Sequence, residues 1–435
     1  SAVKLSDQTS NSPIHENETY HKTPRSQCNR SDCKNRLMGM VKQAVGLHGK
    51  SVQHGVTLKK QTEQHITKKE NTMAGPLASM KILDFSTLLP GPYATMLLAD
   101  MGAEVLRVEA PDRVDLTRVM PPHDAGVSTA HGFLNRGKQS LALNLKKEGS
   151  KEKILELVKE YDIVVEQFRP GVMDRLGIGY ETLKAVNPKL IYCAITGYGQ
   201  TGPYKYRAGH DINYLALAGV SSHCGRTESG PPPMGIQIAD VAGGSHHAVM
   251  GILAAVIHRQ QTGEGQFVDI SMTDAAFALN GMAGAACLAG GQEQKPETSL
   301  LNGGSFYDYY KTQDNRWLSV GSLEPQFSAR LCDVLELAEM KSMALSQKPE
   351  HQKAFKAALS EKIQQKTLAQ WQVIFADTDA CVEPVLTISE AADHPQLKAR
   401  DMVIGVDRGD GTLQRQIGFP IKFEKTDCKA SHPGK

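Results

Sequence analysis

The sequence predicts an α/β protein in which a mostly parallel, doubly wound sheet is followed by a smaller α+β region. Three observations predict it. From Lys81 onward, short apolar runs alternate with amphipathic helical stretches, the pattern of consecutive βαβ units. The first unit turns through Leu-Pro-Gly-Pro, which ends one element and favours the first turn of the next. After Gly303-Gly304 the texture changes to an aromatic hairpin and three helices. A chain of 435 residues can bury a core of this extent without cross-links.

Taken in order, KILDFS from Lys81 is a buried strand and Pro90-Gly91-Pro92 opens a helix through YATMLLADMGA. EVLRVEAP is the second strand. The turn between them is not GxGxxG, so the dinucleotide fingerprint is missing. SLALNL, an amphipathic helix over Lys147–Tyr161, DIVVEQF, a helix near Tyr180–Ala185 and KLIYCAITGYG continue the alternation. Gly243–Gln260 reads as a long helix, GEGQFVDIS as a turn and strand, and Met272–Ala289 as one buried helix. SFYDYYKTQDNRWLSVGS is a hairpin about an Asp-Asn turn, followed by helices near Pro325–Leu337, Glu350–Lys362 and Leu368–Ala376. Gly409–Phe423 returns to strand. No internal repeat is present.

Residues 1–72 differ in texture. Lys, Gln, His, Ser and Thr dominate, and such a segment cannot bury enough surface to fold alone. It is expected to be a disordered tail or a non-native extension, with Met73 reading as a start codon. The eight cysteines are scattered, with no CxxC pair and no zinc spacing, so reduced thiols and no metal site are expected. A formal charge of +2 argues against a nucleic-acid or membrane-surface role. Gly, His or charge interrupts the apolar runs short of a membrane span, so a soluble protein is expected. Cytoplasm is the default compartment; a mitochondrial or peroxisomal protein would look similar, although the terminal Pro-Gly-Lys is not the usual peroxisomal address.

Chemistry concentrates between Arg207 and His247. His210 and Asp211 follow a glycine, and Asp240 precedes Gly243-Gly244 and an apolar helical run. Inverting a carbon by proton transfer needs an acceptor on one face and a donor on the other, which neutral His210 and a protonated Asp240 would supply. The α-carbon of a thioester suits them if donors await the enolate oxygen, and a helix start at Asp240 would offer free N–H groups. Glu324, before Pro325, could fix the imidazole tautomer. Plainer readings compete: Asp240 as an N-cap, His210 as a structural loop residue, Glu324 as a solvated carboxylate, Asp211 as a turn cap. His246 and His247 are expected in the first turn of their helix, within reach of the same pocket.

Longer motifs narrow the choice. GPLASMKILDFSTLLPGPYATMLLADMGAEVLRVE, RGKQSLALNLK, EQFRPGVMDRLGIGYETL, LIYCAITGYGQTGP, AGHDINYLALAGV, TGEGQFVDISM, GSLEPQF and TDACVEPVLT occur in that order. They resemble the family III CoA-transferase superfamily and, within it, the α-methylacyl-CoA racemases, whose forms AGHDINYLALAG and SLEPQF follow. The resemblance implies a Rossmann-like large domain over 73–300, a small α+β domain over 301–400 and a segment 401–435 returning to the large domain. It also implies an interlocked homodimer, with each active site between the large domain of one subunit and the small domain of the other. By motif, His210 and Asp240 would be the catalytic pair, Glu324 the partner of His210, and Asp211 the position of the transferases' nucleophile. CoA, carried by the acyl-CoA substrate, would lie near Leu143, Asn144, Leu145 and Lys146, with Arg169 nearby and the thioester beside His210–Tyr214, Asn213 and Tyr214 included. No further cofactor is implied. The expected reaction is interconversion of (R)- and (S)-2-methylacyl-CoA through an enolate. The alternative is CoA transfer through Asp211, which Ala110 and the insert 112–134 favour; a silent CoA-binding protein is a third reading.

Overall fold

A computed structural model describes residues 75–435; the expectation for residues 1–72 lies outside them. Six parallel strands form the main sheet: β1 (Lys81–Asp84), β2 (Glu104–Glu109), β3 (Gln139–Ala142), β4 (Ile163–Glu166), β5 (Ile191–Thr196) and β6 (Phe267–Ser271). Their spatial order is 3-2-1-4-5-6. The order reverses between β1 and β4, and open sheets of this kind bind ligands beyond the carboxyl ends of their strands at that reversal.

Both faces of the sheet are covered, because alternate side chains of each strand point to opposite sides. Ile82, Val105, Ile163, Val165 and Ile195 face one core with the helices Pro90–Asp100 and His247–Thr262. Leu83, Val108, Val164 and Tyr192 face the other, packed on Ile154, Met173 and Leu183. Pro90 and Pro92 begin the first helix as anticipated, and the Gly91 N–H donates to Gln167 Oε1 at 3.0 Å. A Cβ on Gly91 would lie 2.1 Å from that of Ser86, so this turn is packed shut where a nucleotide-binding loop would be open.

Charged groups are buried within the sheet. The Asp84 carboxylate, fully buried, accepts from Ser86, Thr95 and Lys138 Nζ, the last at 3.3 Å. Burial pushes its pKa up, but Lys138 and the two hydroxyls outweigh that and hold it below the ordinary range. Burial pulls Lys138 down to about 8, which leaves it protonated at neutral pH.

Two corrections to the predicted helices follow from tertiary contacts. Met272–Ala289 is two helices, Met272–Ala278 and Gly281–Leu288, parted where Asn280 donates to the Ala218 carbonyl and pairs with His223 Nε2. The helix expected from Gly243 begins earlier: Ala239–His246 winds as a π-helix and runs on into His247–Thr262. Together they make 24 helical residues, long and apolar enough to cross a membrane, so glycine and histidine do not interrupt the run as expected. One face lies on the sheet through Ala248, Ile252 and Ala255, while Met250 and Ile257 on the other are exposed.

A second core surrounds three antiparallel strands, β7 (Asp308–Lys311), β8 (Trp317–Val320) and β9 (Val382–Pro384), with the helices Pro325–Val334, Pro349–Ile363 and Leu368–Phe375. Phe306, Phe355 and Trp371 fill it. The last hairpin, β10 (Val403–Asp407) with β11 (Leu413–Ile417), turns Gln414 and Gln416 inward; Arg136 bonds Gln416 Oε1, and Phe419 joins the core of the main sheet.

Candidate active site

Beyond β5 the chain turns through Gly197 and Tyr198 and returns as Gly209-His210 to start the helix Asp211–Leu217. Tyr214 donates its hydroxyl proton to the Gly209 carbonyl at 2.6 Å and meets the Tyr198 ring edge-on, with centroids 5.3 Å apart. A Cβ on Gly209 would stand 2.6 Å from the Tyr214 ring and 2.8 Å from the Tyr198 hydroxyl oxygen. Gly209→Ala should therefore displace Tyr214 and its neighbour His210 together, lowering stability by about 1–3 kcal/mol in thermal unfolding along with activity. Asn213 Oδ1 accepts the His210 backbone N–H at 3.0 Å, which fixes the backbone at His210, an exposed residue.

Asp240 comes to the same place from the π-helical turn. Ser245 in that turn donates to the Pro90 carbonyl at 2.6 Å, so the turn is anchored over the end of β1, at the reversal of strand order. The Asp240 N–H donates to Asp211 Oδ1 at 3.0 Å, and the Val241 N–H donates to the Gln237 carbonyl. The free donors expected at the start of this helix are thus occupied at both positions. No hydrogen bond from the described residues ends on the Asp240 carboxyl group itself. Burial, and next the charge of Asp211, push it up to about 6 against the opposing effect of His210. One aspartate of the pair is thereby poised to hold a proton near neutrality beside an imidazole.

Beside His210 and Asp211 lies a cavity of about 300 Å³, at the lower end of ligand-pocket sizes; Asp240 is not among its lining residues. His210 and Asp211 supply its imidazole and its carboxyl group. Ile212 and Leu215 of the helix, Val220 and Cys224 of the following turn, and Met234 and Ile238 of the Pro-rich segment supply apolar wall. The sequence assigned none of these six to an acyl pocket, although Ile212 falls within the span His210–Tyr214 expected beside the thioester. Residues 219–238 carry no helical or strand period; the run Pro231-Pro232-Pro233-Met234 between two reactive motifs was the available signal.

The remaining candidates divide. Arg169 follows β4 and is close enough for its charge to act on the Tyr214 hydroxyl, which burial pushes up to about 12. Leu143, Asn144, Leu145 and Lys146 follow β3 on the same carboxyl edge, with β2 and β1 between β3 and β4. Asn144 there donates to Asp112 Oδ2 at 2.7 Å and accepts the Lys146 N–H. Glu324 is exposed at the N-terminus of Pro325–Val334, near Cys381, and among the described residues no hydrogen bond or ion pair links it to His210. His247 Nδ1 pairs with the Ala242 carbonyl at 2.7 Å, and His246 meets the Tyr93 ring; neither lines the cavity. Among the described residues no group of three His, Cys, Asp or Glu side chains could hold a metal ion.

Known proteins agree with this architecture. The chain is 40% identical to the alpha-methylacyl-CoA racemase of Mus musculus over 329 residues, 74% of this chain and 81% of that one. It is 33% identical to the acetyl-CoA:oxalate CoA-transferase of Acetobacter aceti over 369 residues, 83% of this chain and 92% of that one. The crystal structure of a CAIB/BAIF family protein from Brucella suis superposes with a TM-score of 0.73 at 28% identity, covering 83% of this chain and 96% of that one. The family model for CoA-transferase family III matches residues 77–434. By a match of that extent, the chain belongs to CoA-transferase family III.

Proposed function

We propose that this enzyme racemises 2-methylacyl-CoA thioesters by 1,1-proton transfer, with His210 and Asp240 on opposite faces of the α-carbon. The observation that carries the reading is the Asp240 carboxyl group, which has no hydrogen-bond partner among the described residues and is pushed up to about 6 beside His210 and Asp211. A carboxylic acid that titrates near neutrality can give a proton to an enolate and take one back in the reverse direction. Both steps leave every oxidation state unchanged, so the proton transfer itself calls for no redox cofactor. The uncharged acyl chain would enter the apolar cavity, and CoA would run along the carboxyl edge toward Arg169 and Leu143–Lys146.

Glu324 reaches His210 in this reading only from a second copy of the chain. Exposed Met250, Ile257, Phe277, Met282 and Leu288 on the helices beside the site support a homodimer. If sites are shared, mixing His210→Ala with Glu324→Gln protein, each inactive alone, regenerates activity.

The test is incubation of one 2-methylacyl-CoA epimer in deuterated water. Both epimers with deuterium at the α-carbon are expected; unlabelled, unracemised substrate overturns the proposal. The position of Asp211 on the cavity wall favours a second reading, in which its carboxylate attacks the thioester carbonyl, the C–S bond breaks to release the CoA thiolate, and the acyl group stays on Asp211 as a mixed anhydride. Asp211→Asn separates the two. Under racemisation the variant keeps activity within about tenfold, because the amide oxygen still accepts the Asp240 N–H. With the Asp211 charge gone, the limb of the pH–rate profile belonging to Asp240 moves from about 6 to lower pH. Under transfer, exchange of CoA between carboxylic acids disappears.

A further inference from the structure

We infer that Arg226, which does not line the cavity, is a positioning residue that sets the cavity's apolar wall and with it the selectivity for acyl-chain length. This rests on the cavity holding the acyl chain, as proposed above. Its wall comes largely from residues 219–238, a stretch longer than most connections and regular only at the turn Val220–His223. Such a segment keeps one shape only if something outside it holds it.

Arg226 supplies that hold. Its guanidinium donates to both carboxylate oxygens of Asp308, at 2.8 and 2.5 Å, where β7 begins, and to Glu297 Oε1 at 3.2 Å. The other Glu297 oxygen accepts the Thr227 N–H at 3.0 Å. The fork is thus met by two carboxylates, the geometry in which arginine is most directional. On the chain, Arg226 stands two residues after Cys224 and pairs by a backbone bridge with Gly230, just ahead of Pro232 and Met234. Arg226 therefore ties both halves of the wall to β7, alongside the bonds of His223 to Asn280 and Asn302 that hold the start of the segment. There is no slack behind it: a Cβ on Gly303 would lie 3.0 Å from Arg226 Nη1.

The tie can be cut without unfolding the second core. Asp308 also receives Lys356 Nζ at 2.8 Å, so it keeps a cation when Arg226 is removed. The effect of cutting it should appear in the wall, as a loss of the benefit that each added methylene brings.

Binding of unreactive S-alkyl-CoA thioethers of increasing length tests this without turnover. In the native protein, affinity should rise by up to ~4-fold per buried methylene until the cavity is full. In Arg226→Ala that gain should fall below ~2-fold per methylene while the affinity for CoA itself stays within ~2-fold. Arg226→Lys, which keeps the charge but not the fork, should recover part of the gain. Asp308→Asn should flatten the series similarly, and the double variant should add little to either single one. An Arg226→Ala series parallel to the native one, or an equal loss at every length including CoA alone, overturns the inference. A native series without any length gain removes the acyl assignment of the cavity, and this inference with it. A normal native series with no racemisation removes only the proposed reaction.

Discussion

Asp240→Asn is expected to lower the racemisation rate about 10³-fold in both directions, within the range by which positioned acid–base groups accelerate proton transfer. The loss is equal in both directions because inversion requires one group to take the proton and the other to return one. The amide matches the carboxyl in shape, and the backbone N–H to Asp211 is untouched, so KM should change little. A second readout is sharper. With Asp240 silenced, His210 can still exchange the hydrogen of the epimer that faces it. One epimer should therefore gain deuterium without inverting, while the other stays unlabelled. His210→Ala should show the reverse preference. Equal residual exchange from both epimers would mean that neither group owns a face.

The largest expected effect on stability is at Lys138. Lys138→Met leaves the Asp84 carboxylate buried with two hydroxyls and no adjacent ammonium, and breaking a buried pair in this way costs about 3–5 kcal/mol. The pH dependence should change sign. In the native protein Asp84 has a depressed pKa, so its contribution is full above the unfolded value near 3.8 and is lost as pH falls below it. In the variant burial dominates, the folded pKa rises above the unfolded one, and the variant gains stability as pH falls from 7 toward 4. Combining Asp84→Asn with Lys138→Met should recover at least half of the loss, because no uncompensated charge remains. Urea unfolding of the native protein and these two variants at pH 7 and pH 5 checks each part.

Strands such as Lys81–Asp84 and Ile163–Glu166 were legible because each is a short apolar run whose alternate residues meet different cores, Ile82 on one side and Leu83 on the other. Helix ends set by chemistry of the chain itself were also legible, as at Pro90 and Pro325. Ends set by distant contacts were not: nothing in the Gly- and Ala-rich run around Asn280 announces that its amide will bond Ala218. The reactive pair was readable as residue types, but the reach of Asp240 to Asp211 across 29 positions was not. The Asp84–Lys138 pair was hidden for the same reason, since Lys138 sits in a polar stretch that resembles surface.

The π-helical turn makes the aim of Asp240 a matter of counting. Each residue of an ordinary helix advances about 100° around the axis, whereas the i→i+5 pattern at Ala239–His246 accommodates extra chain without breaking the helix. Deleting Ala242 would return the turn to the common repeat and twist its two ends against each other. Either the carboxyl group would swing away from Asp211, or Ala248, Ile252 and Ala255 would lift off the sheet. A single-codon deletion here would disable the protein while leaving every reactive side chain in the polypeptide.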